Sequence, residues 1–356
     1  MNFNTEKMEK AIAPQRGLSL LELMVALSLG AFLMLGLVNM FLSSRTSSQV
    51  ETALARVQEN GRAALSMVSR DILRARYKGC NSVRGEVTVL AKDADYDGLR
   101  GYERDSGAWQ PDTGAAAISK VLTTARDGSD VLNLQTGLTL GRELLTSDVT
   151  PSGTSISISG NPDGIVKKDD LILVSGCLTA HLLKVTNTPA STGATTIEYA
   201  VSGNTSSTVE PGYRYNAGTE LMIFENVIWY VADTGRDKNG YDVWALYRTA
   251  AGATPTQDNE IVEGVENMQI LYGERGASGT RFVDATKVAD WDSVVAVRIA
   301  MLIQTYEPVR DQDDVSAYSL LDKTMSTSST PAHSGGRALR KVFSTTLALR
   351  NTGYDL

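Results

Sequence analysis

The sequence predicts an α+β protein, in which a long N-terminal α-helix packs on a mostly antiparallel, β-rich globular domain. Two observations predict this fold class. Residues 18–77 contain no proline and change from a continuous apolar run to helical periodicity. From residue 78 onward, short β-branched runs alternate with clusters of Gly, Ser, Asn, Asp and Pro, without the strand–helix alternation of a parallel sheet. The chain has 356 residues, which is enough to bury a real core.

The helix begins with a segment long enough to cross a membrane. Residues 1–17 carry a small basic excess, and residues 18–42 contain a single charged residue, Glu22. A helix of that length reaches about 37 Å, and a bilayer core is about 30 Å thick. The run is too long for the core of a secretory signal peptide, and no small-x-small cleavage site follows it. We therefore expect 18–42 to span the membrane, with the N-terminus in the cytoplasm.

Residues 43–77 are predicted to continue the helix as an amphipathic half. Apolar residues recur there at steps of mostly three and four, and polar residues fill the positions between them. The apolar positions are Val50, Leu54, Val57, Ala64, Leu65, Val68 and Ile72. One face of this half is therefore expected to pack on the globular domain.

Residues 78–356 are predicted to form the globular domain, outside the cytoplasm. Residues 260–272 allow two interpretations. They form either a short helical turn that leads into a strand or a strand over the whole segment. Ser/Thr/Gly-rich segments near 186–208 and 312–336 are expected to be mobile surface loops. The strands are predicted at 86–90, 130–135, 154–159, 170–175, 182–186, 195–201, 220–232, 243–248, 261–272, 294–305 and 342–350.

Glu22 stands within the apolar run, where a carboxylate costs roughly 2.5–3.5 kcal/mol. It either lies near the interface and stays hydrated or has a partner. The surrounding string is R-G-L-S-L-L-E-L-M-V, with Glu22 five residues after Gly17. This string resembles the class III signal of type IV prepilins and pseudopilins. The resemblance implies that a prepilin peptidase removes residues 1–17, cutting between Gly17 and Leu18, and methylates Leu18, although the usual residue there is Phe.

The same resemblance implies a role for Glu22. Cleavage would create a free amine on Leu18, and Glu22 of one subunit would meet that amine on a neighbouring subunit in a filament. Such a pair replaces two costly charges by one hydrogen-bonded pair and is well suited to fixing axial register.

Further pieces of the sequence narrow the resemblance to the PilW-type minor pilins. Along the chain these pieces are RDILRARYKGC, LVSGCLTAHLLKVT, VIWYVADTG, LYR, IVEGVENMQILYG, VVAVRIAMLI and KVFSTTLALRN. The resemblance implies a pilin-like fold and a low-abundance subunit of a complex that primes assembly at the pilus tip. The implied partners are other minor pilins, the major pilin, a tip adhesin, the prepilin peptidase, the inner-membrane assembly platform and, before assembly, membrane lipid. The implied processes are adhesion and twitching motility.

Two alternatives remain. Two of these pieces, MQILYG and VVAVRIAMLI, also resemble the J-type pseudopilin of type II secretion. A second class of function is a membrane-anchored periplasmic binding protein or enzyme that uses the helix as a tether. Such a tether needs neither a cleavable Gly nor a Glu five residues later.

The two cysteines, Cys80 and Cys177, both lie on the predicted periplasmic side. An oxidising compartment favours a disulfide between them. It would close a loop near 100 residues, for which the chain-entropy model gives roughly 4–5 kcal/mol. The alternative is a pair of buried free thiols.

The composition argues against several kinds of chemistry. Forty-one Asp and Glu against 34 Lys and Arg leave no basic excess for nucleic acid. Neither histidine, His181 or His333, lies in a catalytic motif, so we expect no enzyme and no cofactor. Asp93, Asp95 and Asp97 begin like an EF-hand loop, but Arg104 occupies the twelfth position. An acidic turn or a looser calcium site fits those three residues. The acidic run at 311–314 is interpreted as solvated.

Overall fold

The computed structural model describes residues 19–81, 86–105, 108–111, 121, 123–144, 149, 153–161, 164–177, 179–209, 214–217, 219–253 and 256–352. The α-helix of this described part, α1, spans Leu20–Arg74. Internal contacts divide the chain into two compact units, Met1–Thr52 and Ala53–Leu356.

The strands follow α1 in chain order. They are β1 (Val87–Val89), β2 (Leu99–Asp105), β3 (Ala108–Gln110), β4 (Val131–Leu144), β5 (Ser155–Ile158), β6 (Leu171–Ser175), β7 (Ala180–Lys184), β8 (Thr195–Glu198), β9 (Glu220–Lys238), β10 (Tyr241–Ala250), β11 (Glu260–Glu263), β12 (Val265–Gly276), β13 (Gly279–Val283), β14 (Val294–Gln304), β15 (Tyr318–Leu320), β16 (Lys323–Met325) and β17 (Arg340–Ala348).

Most of these strands form two antiparallel sheets. The larger sheet has the order β1-β7-β6-β9-β4-β2-β3, with β10 and β11 added at β9. The smaller sheet has the order β13-β12-β14-β17. The pair β1–β7 is parallel, whereas the remaining strand pairs described are antiparallel. The predicted α+β, pilin-like class is confirmed.

The part of α1 from Ala53 onward packs its apolar face into the main core of the globular unit. This core also contains side chains from β4, β9, β12 and β14. The buried positions of α1 are Ala53, Val57, Gly61, Ala64, Val68 and Ile72. Gly61 belongs to this stripe because a Cβ there would stand 2.5 Å from the ring of Phe343 on β17. Leu54, which the periodicity placed on the apolar face, is 37% exposed.

The helix ends at Arg74, three residues before the predicted end at 77. Arg76 adopts a φ of 64°, in the left-handed region that interrupts a right-handed helix. Its backbone N–H donates to the carbonyl of Gln135 at 2.8 Å, and its guanidinium donates to the carbonyl of Val294 at 2.8 Å. These bonds tie the end of α1 to both sheets.

Residues 260–272 and the segment 312–336, which was expected to be a mobile surface loop, both contain regular secondary structure. Residues 260–272 form strand β11 and most of β12, separated by Gly264 at a φ of 91°. Segment 312–336 contains the hairpin β15–β16, whose Leu320 and Met325 are buried against β14. The sequence pattern missed this hairpin because each strand is three residues long and half polar.

Candidate functional site

The part of α1 between residues 20 and 42 exposes its apolar side chains. Every large apolar side chain between residues 20 and 42 is more than half exposed in the isolated chain. Within the described residues, one helix is long and apolar enough to cross a membrane, and this segment is the part that qualifies. A surface of this kind is suited to a membrane or to packing against other apolar helices.

The predicted cleavage and methylation positions, Gly17 and Leu18, lie outside the described residues. Directly after Leu18, Ser19 forms a reciprocal cap with Glu22 at the start of α1. The backbone N–H of Ser19 donates to Glu22 Oε2 at 3.0 Å, and the backbone N–H of Glu22 donates to Ser19 Oγ at 3.2 Å. This arrangement is a capping box, and it places the carboxylate at the positive end of the helix dipole. The Glu22 carboxylate thus lies at the N-terminal end of α1.

Cys80 and Cys177 form a disulfide with a Cα–Cα distance of 4.6 Å. Cys80 lies in the short 3-10 turn Gly79–Asn81, and Cys177 follows β6. The hydroxyl of Ser175 donates to the carbonyl of Lys78 beside the disulfide. The covalent bond therefore joins the segment that leaves α1 to the β6–β7 hairpin, across 97 residues of sequence.

Two of the three acidic residues of the calcium candidate, Asp95 and Asp97, have separate partners. Asp93 adopts a φ of 60° in a turn. Asp95 Oδ1 accepts a hydrogen bond from Gln135 Nε2 at 3.2 Å, and Asp97 Oδ2 lies 3.5 Å from Arg100 Nε. In the described part of the chain, no group of three or more His, Cys, Asp or Glu side chains is arranged to hold a metal ion.

The two histidines pack within the globular unit. The fully buried His181 has its Nδ1 2.5 Å from the hydroxyl of Tyr215. His333 is also buried, and its Nε2 lies 2.8 Å from the carbonyl of Ser316.

A buried ion-pair cluster is the main polar feature that the sequence pattern did not reveal. Arg340 Nε donates to Glu266 Oε2 at 2.7 Å, and Arg340 Nη1 donates to Asp314 Oδ2 at 3.2 Å. All three side chains have no exposed surface. Asp314, the last residue of the run interpreted as solvated, is therefore a buried ion-pair partner, and that interpretation is wrong at this position. No local signal could have shown it, because Arg340 is 26 residues away in sequence.

Neighbouring groups complete the cluster. Arg340 Nη2 donates to Gln304 Oε1 at 2.8 Å and to Ser334 Oγ at 2.7 Å. Arg126 stacks over the ring of Trp244 at 4.1 Å, with its guanidinium 3.7 Å from Glu266. The cluster thereby connects β10, β12, β14 and β17.

These contacts shift the pKa values of both carboxyls downward. Burial raises the pKa of Glu266, but Arg340 and Arg126 lower it by more in total. Burial also raises the pKa of Asp314, but hydrogen bonds from Tyr318, Ser316 and Arg340 lower it to about 2. Both groups are therefore ionised at neutral pH. This arrangement joins strands and loops and offers no open reaction site.

Comparisons with known families match two parts of the chain. Residues 228–351 match the family described as type IV pilus-assembly protein W, PilW. Residues 12–38 match the prokaryotic N-terminal methylation motif, which includes Gly17, Leu18 and Glu22. No curated protein matches the chain. The PilW family consists of structural assembly proteins and is not a known enzyme family. These matches confirm the resemblance predicted from the sequence, and they support a type IV pilin-like minor pilin.

Proposed function

We propose that this chain is a minor pilin of a tip complex that primes type IV pilus assembly. The observation that carries the proposal is the coincidence of two matches in one chain. The methylation motif falls on an exposed apolar helix, and the PilW match falls on the strands of the globular unit. A pilin-like subunit works by association, which agrees with the exposed apolar surface of residues 20–42 and with a disulfide-bonded globular unit.

The proposal includes processing at the N-terminus. A prepilin peptidase would remove residues 1–17 and methylate Leu18, and Glu22 would then set the axial register of the subunit. The capping box supports this role because it directs the Glu22 carboxylate toward the helix start, where the new amine would form. In a filament, an amine from a neighbouring subunit would replace the Ser19 N–H as the partner of Glu22.

The proposed topology follows from the same segments. Residues 18–42 would span the inner membrane before assembly, with the leader in the cytoplasm and residues 78–356 in the periplasm. The disulfide supports the periplasmic location because disulfides persist in oxidising compartments. In assembly, lipid around 18–42 would be exchanged for helices of other minor pilins and the major pilin, on the assembly platform and beneath a tip adhesin.

The first test is the mature N-terminus of the full-length protein, from membranes with and without prepilin peptidase. We expect a start at methylated Leu18 that depends on the peptidase. A start at Met1 in both membranes would overturn the proposal and leave the helix as a plain anchor. Pilus number in a deletion strain then tests the pathway. We expect pilus loss, whereas loss of protein secretion with normal pili would indicate a J-type pseudopilin.

Two substitutions distinguish the proposed role of Gly17 in cleavage from that of Glu22 in axial register. Gly17→Val is expected to abolish cleavage, because the peptidase must accommodate the residue before the cut. Glu22→Ala is expected to leave cleavage and membrane insertion intact and to reduce incorporation into pili. Glu51→Ala is the matched control, since Glu51 is an exposed carboxylate on the same helix unit. Equal incorporation of the Glu22 and Glu51 variants would contradict the register role.

A further inference from the structure

A cavity of about 410 Å³ lies where α1 ends in the globular unit. Its walls come from the last turn of α1, the middle of β4 and the segment after β17. The lining residues used below are Leu73, Arg74, Leu138, Thr139, Arg350 and Asn351.

The carbonyl groups at this helix end already have donors. Thr136 Oγ1 donates to the carbonyl of Arg74 at 2.8 Å, and Asn351 Nδ2 donates to the carbonyl of Ala75 at 3.1 Å. The N–H of Gly137 donates to the carbonyl of Tyr77 at 2.6 Å. These three backbone acceptors therefore do not need the guanidinium groups that flank the cavity.

Arg74 and Arg350 both line the cavity and are both exposed. Within the described residues, neither guanidinium makes an ion pair or a side-chain hydrogen bond. Arg248 provides a contrast, because it pairs with Asp71 at 2.8 Å and with Glu225 at 3.1 Å. Two positively charged residues thus line one cavity, in a chain whose net charge is −7.

We propose that this cavity receives an Asp or Glu carboxylate from another pilin-type subunit. Guanidinium groups bind carboxylates through paired, charge-assisted hydrogen bonds, and two of them flank this site. Leu73 and Leu138 add apolar wall against which the methylene groups of such a side chain pack. The inference rests on the proposed function, since it takes the partner to be a filament subunit.

The test uses the full-length chain in its own cells, with the photo-crosslinker p-benzoylphenylalanine in place of the exposed Thr139. We expect a cross-link to a pilin-type subunit that maps beside an Asp or Glu. Arg74→Glu combined with Arg350→Glu is expected to lower the yield at least ~10-fold, the effect of about 1.4 kcal/mol of lost pairing. Replacing the mapped Asp or Glu of the partner subunit by Arg should restore the cross-linking yield of this double variant.

Arg70→Glu is the matched control, because Arg70 is exposed on the same helix and does not line the cavity. It should leave the yield unchanged. Arg74→Gln with Arg350→Gln removes the charges without reversing them, and its thermal midpoint should equal that of the wild type. A cross-link that survives charge reversal, or one found only on lipid, would overturn the inference. Pilus loss on deletion together with charge-independent cross-linking would refute this inference alone, whereas normal pili on deletion would refute the proposed function.

Discussion

The two parts of α1 differ in where their apolar side chains are covered. Between residues 20 and 42 these side chains are exposed all round the helix. From Ala53 to Ile72 the buried positions form one stripe at steps of three and four residues. The secondary structure is the same, so the difference comes from the sequence pattern alone. The globular unit covers its helix within the chain, whereas the apolar side chains between residues 20 and 42 are left uncovered by the described residues.

The charged side chains also fall into two groups, those paired inside the globular unit and those at exposed positions. The cluster of Arg340, Glu266 and Asp314 is satisfied entirely inside the globular unit. Within the described residues, the Glu22 carboxylate is hydrogen-bonded to the exposed backbone N–H of Ser19, and Arg74 flanks an open cavity. Groups of the first kind are expected to determine stability, and groups of the second kind are expected to determine assembly.

The largest effect is expected from breaking the buried cluster. Arg340→Ala would leave two carboxylates buried without their main cation, at a cost of about 3–5 kcal/mol. Denaturant unfolding of the full-length protein in detergent micelles measures this loss.

The control for Arg340→Ala is Arg236→Ala, which removes an ion pair to Glu260 whose arginine is 43% exposed. That change should cost at most about 1 kcal/mol. Equal losses for the two variants would show that the cluster is not a special source of stability.

The second prediction compares the two parts of α1 directly. Ile72→Ala removes a fully buried side chain from the main core and should lower the free energy of unfolding by about 2–5 kcal/mol. Leu33→Ala removes a side chain that is 70% exposed in the isolated chain and should leave the unfolding of the globular unit unchanged.

Incorporation into pili is the complementary measurement, and there Leu33→Ala is expected to reduce the signal. A loss of domain stability in the Leu33 variant would contradict the division of α1 into an internally covered part and an open part.

The sequence predicted the features that depend on local periodicity. Helical spacing and the absence of proline identified α1, and short β-branched runs identified β14 and the first parts of β4 and β9. The same pattern left residues 260–272, which include most of β12, with two interpretations. Three of the strands that the pattern missed, β3, β15 and β16, have three residues each, too few for a period to be recognised. The pattern also missed β2 and β13, whose sequences LRGYERD and GTRFV contain glycine and charged residues in place of a regular apolar alternation.

Features that depend on distant residues could not be read from the sequence. Gly61 interrupts the apolar pattern of the helix, yet it is buried because the ring of Phe343 occupies the place of a side chain. Asp314 follows two other acidic residues at 311 and 313 and differs from them only through its ion pair with Arg340. The cavity flanked by Arg74 and Arg350 likewise forms from three separate parts of the chain.

The smallest predicted effect concerns pH and tests whether the buried cluster is ionised. The pKa of Asp314 is lowered from its ordinary value of 3.8 to about 2 in the folded protein. Its contribution to stability is therefore complete above about pH 4 and is lost as the pH falls through 2. A shift of this size corresponds to about 2 kcal/mol. The pKa of Glu266 is also lowered, so protonation of Glu266 at low pH likewise reduces the free energy of unfolding.

Protonation of Asp130 changes the free energy of unfolding in the opposite direction, but it does not obscure the effect of Asp314. Burial raises the pKa of this carboxyl well above 3.8, so its protonation stabilises the fold as the pH falls toward 3.8. Below that value Asp130 is protonated in both states and contributes little further change. The decline in unfolding free energy between pH 4 and pH 2 should therefore be smaller in Asp314→Asn than in the wild type. Asp313→Asn, an exposed neighbour in the same acidic run, should keep the full decline. Equal declines in the two variants would mean that the buried charge of Asp314 does not stabilise the globular unit.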